Sequence, residues 1–150
     1  MSRPVLIILG SKNDIEKISA TTETFEQFGI SYELQVSSAH RNPERTAELA
    51  KTALKNGHKV IIAAAGLAAH LPGVVAAHTT LPVIGLPLTS GALNGIDSLY
   101  SIVQMPPGVP VACMAINGAK NAALFAIQIL SLTDAELQGK FLAFKEGMKS

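Results

Sequence analysis

Val5-Leu6-Ile7-Ile8-Leu9-Gly10-Ser11 is the stretch whose reading decides the fold. Five consecutive apolar residues leave no polar face, so a strand built from them must be covered on both sides. Gly10 ends the run and permits a tight turn, and Ser11 offers a hydroxyl that can cap a helix. Residues 11–28 then show helical spacing, with Ile15, Ile18, Thr22, Phe25 and Phe28 on one side and Gly29 as a C-cap. A doubly covered strand that feeds directly into an amphipathic helix is the repeating unit of a parallel α/β sheet.

The unit recurs along the chain. Tyr32–Val36 reads as a second strand, and Pro43 opens a helix over 43–56 that Gly57 stops. Val60–Ala65 is a third buried strand, followed by a short helix over 72–79 rich in Ala and Val. A fourth strand spans 82–86, and Asp97 caps a helix reaching residue 104. The fifth strand covers 109–116, and an apolar helix follows over 118–132. Thr133-Asp134-Ala135-Glu136 is a capping box that opens a last helix over about 134–148. This alternation predicts one domain over residues 1–150: a three-layer α/β/α, flavodoxin-like domain around a five-stranded parallel sheet.

Composition narrows the function classes. Apolar residues make up 48% of the chain and charged residues 15%, against a usual charged share of about 25%. So little charge covers a surface poorly, and the helix over 118–132 reads as apolar on nearly every side. Both features predict burial against a second subunit. A net charge of +1 offers no footprint for nucleic acid. Cys113 is the single cysteine, so no disulfide forms within the chain; its apolar neighbours make it a small buried hydrophobe. The first apolar run is too short for a signal segment or a membrane span, and a cytoplasmic protein is expected. The histidines at 40, 58, 70 and 78 lack a zinc spacing and no carboxylate cluster accompanies them, so no metal is expected. His58 reads as a surface turn residue and His78 as the end of a short helix. No Gly-x-Ser-x-Gly elbow supports serine hydrolysis.

Four loops carry whatever chemistry the chain has, because ligands bind at the carboxyl ends of parallel strands. In Gly10-Ser11-Lys12-Asn13-Asp14, a hydroxyl and helix-terminal amides suit a phosphate, and Asp14 suits ribose hydroxyls. The plainer alternative is that Ser11 only caps and Asp14 only complements the helix dipole. The second loop holds Ser38, His40 and Arg41: a proton carrier beside a cation able to clamp phosphate bidentately. The third, residues 63–73, is nearly devoid of polar side chains and suits a flat uncharged ring or CO₂. Its His70 is either satisfied by a backbone carbonyl or part of a site. The fourth, residues 93–106, can cover a site or build an interface.

These segments, in this order, closely resemble the class I 5-(carboxyamino)imidazole ribonucleotide mutases of purine biosynthesis, the family of the phosphoribosylaminoimidazole carboxylase catalytic subunit. The resemblance is carried by Gly10-Ser11-Lys12-Asn13-Asp14, Ser38-Ala39-His40-Arg41-Asn42-Pro43, Ala69-His70-Leu71-Pro72-Gly73, Pro82-Val83-Ile84-Gly85, the run Asp97-Ser98-Leu99-Tyr100-Ser101-Ile102-Val103-Gln104-Met105-Pro106, and Ala119-Lys120-Asn121-Ala122-Ala123. It implies a flavodoxin-like subunit of a homo-octamer with no metal or organic cofactor, whose last helix packs on a neighbouring subunit. It implies an isomerase acting on an imidazole ribonucleotide, moving a carboxylate from the exocyclic nitrogen to the adjacent ring carbon. Ser11, Asp14 and Arg41 would bind the ribose phosphate. Ser38, Leu71 and the backbone of Ala65, Gly66 and Leu67 would help form the pocket, His70 would order it, and His40 would carry the proton.

Three residues depart from the family pattern. Asn13 stands where Ser is usual, and Ala64 and Leu67 stand where Gly is expected. Leu67 is strained if the backbone there takes a positive φ. Three rival readings frame the expectation. A carboxylase of the same family would use free CO₂ with aminoimidazole ribonucleotide. A flavin-binding electron carrier of the same fold would need aromatic residues flanking the flavin, and the candidate loops offer only Tyr100. A non-catalytic oligomeric binding module has Leu67 as its one argument.

Overall fold

Val5–Leu9 forms β1, and every one of its residues is buried. In the computed structural model, which describes residues 2–150, β1 pairs in parallel with Tyr32–Val36 (β2) on one side and Val60–Ala65 (β3) on the other. Val83–Pro87 (β4) continues the sheet beyond β3, and Ala112–Cys113 (β5) closes it. All pairings are parallel, and the strand order is β2-β1-β3-β4-β5. The chain winds outward in one direction from β1 to β2, then returns to β3 and winds the other way. That reversal opens a crevice above the carboxyl ends of β1 and β3.

Strand alternation sorts the core into two layers. Val5, Ile7 and Leu9 of β1 face the helices Ser19–Phe28 (α1), Ala119–Ser131 (α5) and Ala135–Gly147 (α6). Leu6 and Ile8 face Pro43–Thr52 (α2), Leu71–Ala77 (α3) and Ile96–Val103 (α4). The three-layer α/β/α architecture is therefore as the alternation predicts. Thr21 pins two of the helices together by donating its Oγ1 hydrogen to the Ala119 carbonyl at 2.7 Å. Gly85 lets α3, α4 and the segment before β5 approach the sheet. A Cβ there would collide with Ile102 Cγ2 and come within 2.9 Å of Val111 Cγ1.

Several local expectations are corrected. The first helix is preceded by two 3₁₀ turns, Lys12–Asp14 and Glu16–Ile18, and α1 itself begins only at Ser19. Their tight bonds, Asp14 N–H to Ser11 O at 3.1 Å and Ile15 N–H to Lys12 O at 3.2 Å, accompany a buried Asp14. Asp97 lies in the first turn of α4; Gly95, with φ 92°, is the cap residue. The fifth strand shrinks to two residues, because Pro110 has no N–H to give a ladder. Cys113 on that edge strand is half-buried, and its burial pushes the thiol pKa up. His58 is buried rather than exposed. Its Nδ1–H donates to the Arg3 carbonyl at 2.7 Å, and its Nε2 lies 3.7 Å from Glu33 Oε2, which fixes the ring at the amino end of the sheet.

The helix α5 is not apolar all round. Lys120, Asn121 and Gln128 form its exposed stripe, while Leu124, Phe125 and Ile129 are half-buried. The last helix covers part of α5 within the same chain: Leu137 is buried, and Phe28 meets Phe141 and Phe144 at ring distances of 6.3 and 5.8 Å. Its Leu142, and Met148 at its C-cap, are exposed. Among the described residues, no helix is long and apolar enough to cross a membrane.

Candidate active site

The carboxyl ends of the strands are held level by bonds between their exits. Gly10 N–H donates to the Ala64 carbonyl at 3.1 Å and Ser37 N–H to the Leu9 carbonyl at 2.8 Å. Loops leaving β1, β2, β3 and β4 therefore start from one plane. They surround a cavity of about 480 Å³ at the β1/β3 reversal. Ser11, Asp14, Ser38, His40, Arg41, Ala65, Gly66, Leu67, His70 and Leu71 all line it. Every site residue named from the sequence is thus brought to one place. The loop over 93–106 does not line this cavity.

Local structure presents each side chain. Ser11 Oγ accepts the Asn13 N–H at 3.2 Å, so the serine does cap, yet it also borders the cavity. Ser38 Oγ accepts the Arg41 N–H at 3.2 Å, and a buried hydroxyl pair, Ser37 with Thr46 at 2.8 Å, anchors the base of that loop. The turn aims His40 and Arg41 outward. Arg41 makes no side-chain ion pair among the described residues and borders a second cavity of about 390 Å³ with Lys12 and Arg45. Gly10, Ser11 and Ser38 line both cavities. The second is therefore a cation-rich annex to the first, of the kind that holds a phosphate.

The two imidazoles meet. His40 Nε2 and His70 Nδ1 are 2.6 Å apart, with the rings edge to face at 87°. His70 is therefore bonded to the other histidine, not to a backbone carbonyl, and His40 is not the lone proton carrier in the loops. A neutral pair shares one N–H in this bond; when His40 takes a second proton, its Nε2–H can still be accepted by His70. The arrangement can store a proton on an exposed ring while keeping that ring oriented.

Asp14 is the one buried carboxylate of the site. Burial pushes its carboxyl pKa up, and the Lys17 ammonium at 3.6 Å pulls it partly back. Lys17 also donates to the Thr89 carbonyl at 2.9 Å, which ties the loop after β4 to the first loop. Lys17 and Ser90 both line the cavity and were not singled out from the sequence. Lys17 reads there as an ordinary exposed helix position. Ser90 had a usable signal, since it follows β4 at the carboxyl edge where ligands bind. Apart from the two imidazoles, no aromatic ring lines the cavity among the described residues. Nor do three His, Cys, Asp or Glu side chains gather as a metal cluster there.

A sequence profile described as AIR carboxylase matches residues 4–150. The chain belongs to the AIR carboxylase family. Among its relatives in that family is an N5-carboxyaminoimidazole ribonucleotide mutase of Saccharolobus solfataricus, 58% identical over 146 residues, covering 97% of this chain and 92% of the relative. A protein of the same name from Pyrococcus abyssi is 55% identical over 143 residues, covering 95% and 82%. The crystal structure of Treponema denticola PurE superposes with a TM-score of 0.88 at 30% identity, covering 97% of this chain and 90% of that one. The AIR carboxylase family thus joins the sheet order and the two-histidine cavity to the resemblance that the loops carry.

Proposed function

We propose that this chain is an isomerase of purine biosynthesis that converts 5-(carboxyamino)imidazole ribonucleotide to 5-amino-4-imidazolecarboxylate ribonucleotide. The observation that carries the reading is the convergence of four strand-end loops on one cavity, with His40, His70 and Arg41 at its wall. Relatives more than half identical over nearly the whole chain bear the mutase name.

The ribose phosphate sits toward Ser11, Asp14 and Arg41, with its phosphate in the annex beside Lys12 and Arg45. The imidazole lies against the small apolar residues Ala65, Gly66, Ala69 and Leu71. Reaction begins when the bond between the exocyclic nitrogen and the carboxylate carbon breaks, its electron pair staying on nitrogen and CO₂ departing. His40 delivers a proton to that nitrogen. The adjacent ring carbon then attacks the trapped CO₂, forming the new carbon–carbon bond, and His40 recovers the proton that the ring carbon loses. Protons given and taken balance, so the residue ends as it began. No charged side chain is needed for CO₂ itself, which an apolar wall retains while excluding water.

Exposed apolar faces suit the subunit association that goes with this reading. Leu93, Ile96, Tyr100 and Val103 expose an apolar face beside α4, and Leu142 on α6 and Met148 at its C-cap do so as well. These surfaces are the ones that a homo-octamer would cover, α6 against a neighbouring subunit. The single, half-buried Cys113 suits a reducing cytoplasm. The reading is tested by offering the purified protein two substrates in parallel, the carboxyamino nucleotide and aminoimidazole ribonucleotide with bicarbonate. A higher kcat/KM on the first is expected. A higher value on the second would make the protein a carboxylase that uses free CO₂.

A further inference from the structure

Leu67 carries an unusual backbone. Three non-glycine residues have a left-handed φ among those described: Asn94 at 50°, Asn117 at 59° and Leu67 at 55°. Asparagine tolerates that region through its short polar side chain, whereas a branched apolar residue does not. Leu67 is therefore held against its local preference, and it is held at the cavity wall. Backbone strain kept at a ligand site calls for a reason on the side-chain side.

The reason lies across the seam between two loops. A Cβ on Gly66 would come within 2.9 Å of Ser90 Cβ and 3.3 Å of the Leu88 carbonyl oxygen, so the loops after β3 and β4 already touch at that point. One residue further on, a Cβ on Gly91, whose own φ is 68°, would meet Leu67 Cδ2 at 3.0 Å. The leucine side chain thus reaches from the first loop onto the bare backbone of the second. Lys17 anchors the second loop from its other side through the Thr89 carbonyl at 2.9 Å.

We propose that Leu67 is a positioning residue that seals the seam between the loops after β3 and β4, and that this seal keeps CO₂ in the cavity between its release and its recapture. The inference rests on the trapped-CO₂ path described above. Its chemistry is simple: the Cδ2 methyl of the half-exposed Leu67 lies over Gly91 and covers the seam without offering a hydrogen bond to water. The left-handed φ directs the side chain along the wall toward Gly91.

The test uses the full-length protein and substrate labelled with ¹³C in the transferable carboxylate, in unlabelled buffer. Label retained in the product is measured, together with the fraction of substrate released as aminoimidazole ribonucleotide, after subtraction of enzyme-free decay. The wild type is expected to retain the label. Leu67→Gly and Leu67→Asn, which both accept the left-handed backbone, are expected to raise the released fraction by about tenfold, the scale of losing apolar contact in a pocket. Leu67→Met, which restores apolar reach, is expected to recover retention. Thermal midpoints of Leu67→Gly and Leu67→Asn should not fall, so a leak cannot be ascribed to unfolding. Loss of label in the wild type would overturn the trapped-CO₂ path and the role of Leu67 with it. Retention in the wild type and in both variants would overturn the role of Leu67 alone.

Discussion

On the proposed reading His40 carries the proton, and its loop made it visible in the sequence: a histidine between Ser38 and Arg41, just past a strand end. Replacing it with Asn is expected to keep the fold and substrate affinity while lowering kcat by about 10²–10⁴-fold, the usual weight of a general acid–base group. A near-normal kcat would remove His40 from the reaction. The bond to His70 was not legible, because the two residues are 30 positions apart and follow β2 and β3, which flank β1 on opposite sides. Only the sheet order brings them together. Asp14 shows a different conflict. Its pKa is raised by burial, so the folded state holds the proton more tightly than the unfolded chain. The ionised carboxylate therefore opposes folding, and stability falls as pH rises from the ordinary carboxylate value through the raised one. Asp14→Asn is thus expected to leave the thermal midpoint unchanged or higher while KM rises, since on the proposed reading the charge and one of the two oxygens offered to the ribose are lost. A midpoint lower by more than about 4 °C, roughly 1 kcal/mol or more in a domain of this size, would show that the carboxylate is a net support of the fold.

At the scale of elements, the strands were the most legible part. Val5–Leu9 and Val60–Ala65 are unbroken apolar runs and appear with those same bounds. Helix starts and the fifth strand were less so, because tertiary burial of Asp14 and the prolines around residue 110 override a simple period. The loop chemistry was legible in its polar residues and blind in its contacts, as Lys17 and Ser90 show. Gly85 illustrates what a family-like tetrapeptide means physically. It lies on β4, with Ile102 of α4, Pro72 of α3 and Val111 packed where a side chain would go. Gly85→Ala is expected to destabilise the protein by about 2 kcal/mol through overpacking, seen as a thermal midpoint lower by about 4–8 °C. An unchanged midpoint would mean that the α3–α4 layer yields freely, contrary to a close-packed contact.

For the whole molecule, low charge content and exposed apolar helix faces make association the expected state. The grounds differ from those that composition first offered. The helix α5 buries most of its apolar surface within its own chain, and the unpartnered surfaces are instead those around Tyr100 on α4 and Leu142 on α6. Light scattering is expected to report an oligomer several times the 15.7 kDa chain mass, an octamer on the proposed reading; a stable monomer at micromolar concentration would refute association through these faces. The central claim is that the carboxylate moves within one cavity without recourse to dissolved CO₂. It is tested most directly by a single-turnover reaction of the carboxyamino nucleotide with excess protein in buffer depleted of CO₂ and bicarbonate. The account expects the ring-carboxylated nucleotide to form at the same rate as in ordinary buffer. Accumulation of aminoimidazole ribonucleotide alone, with product appearing only when bicarbonate is added, would contradict it.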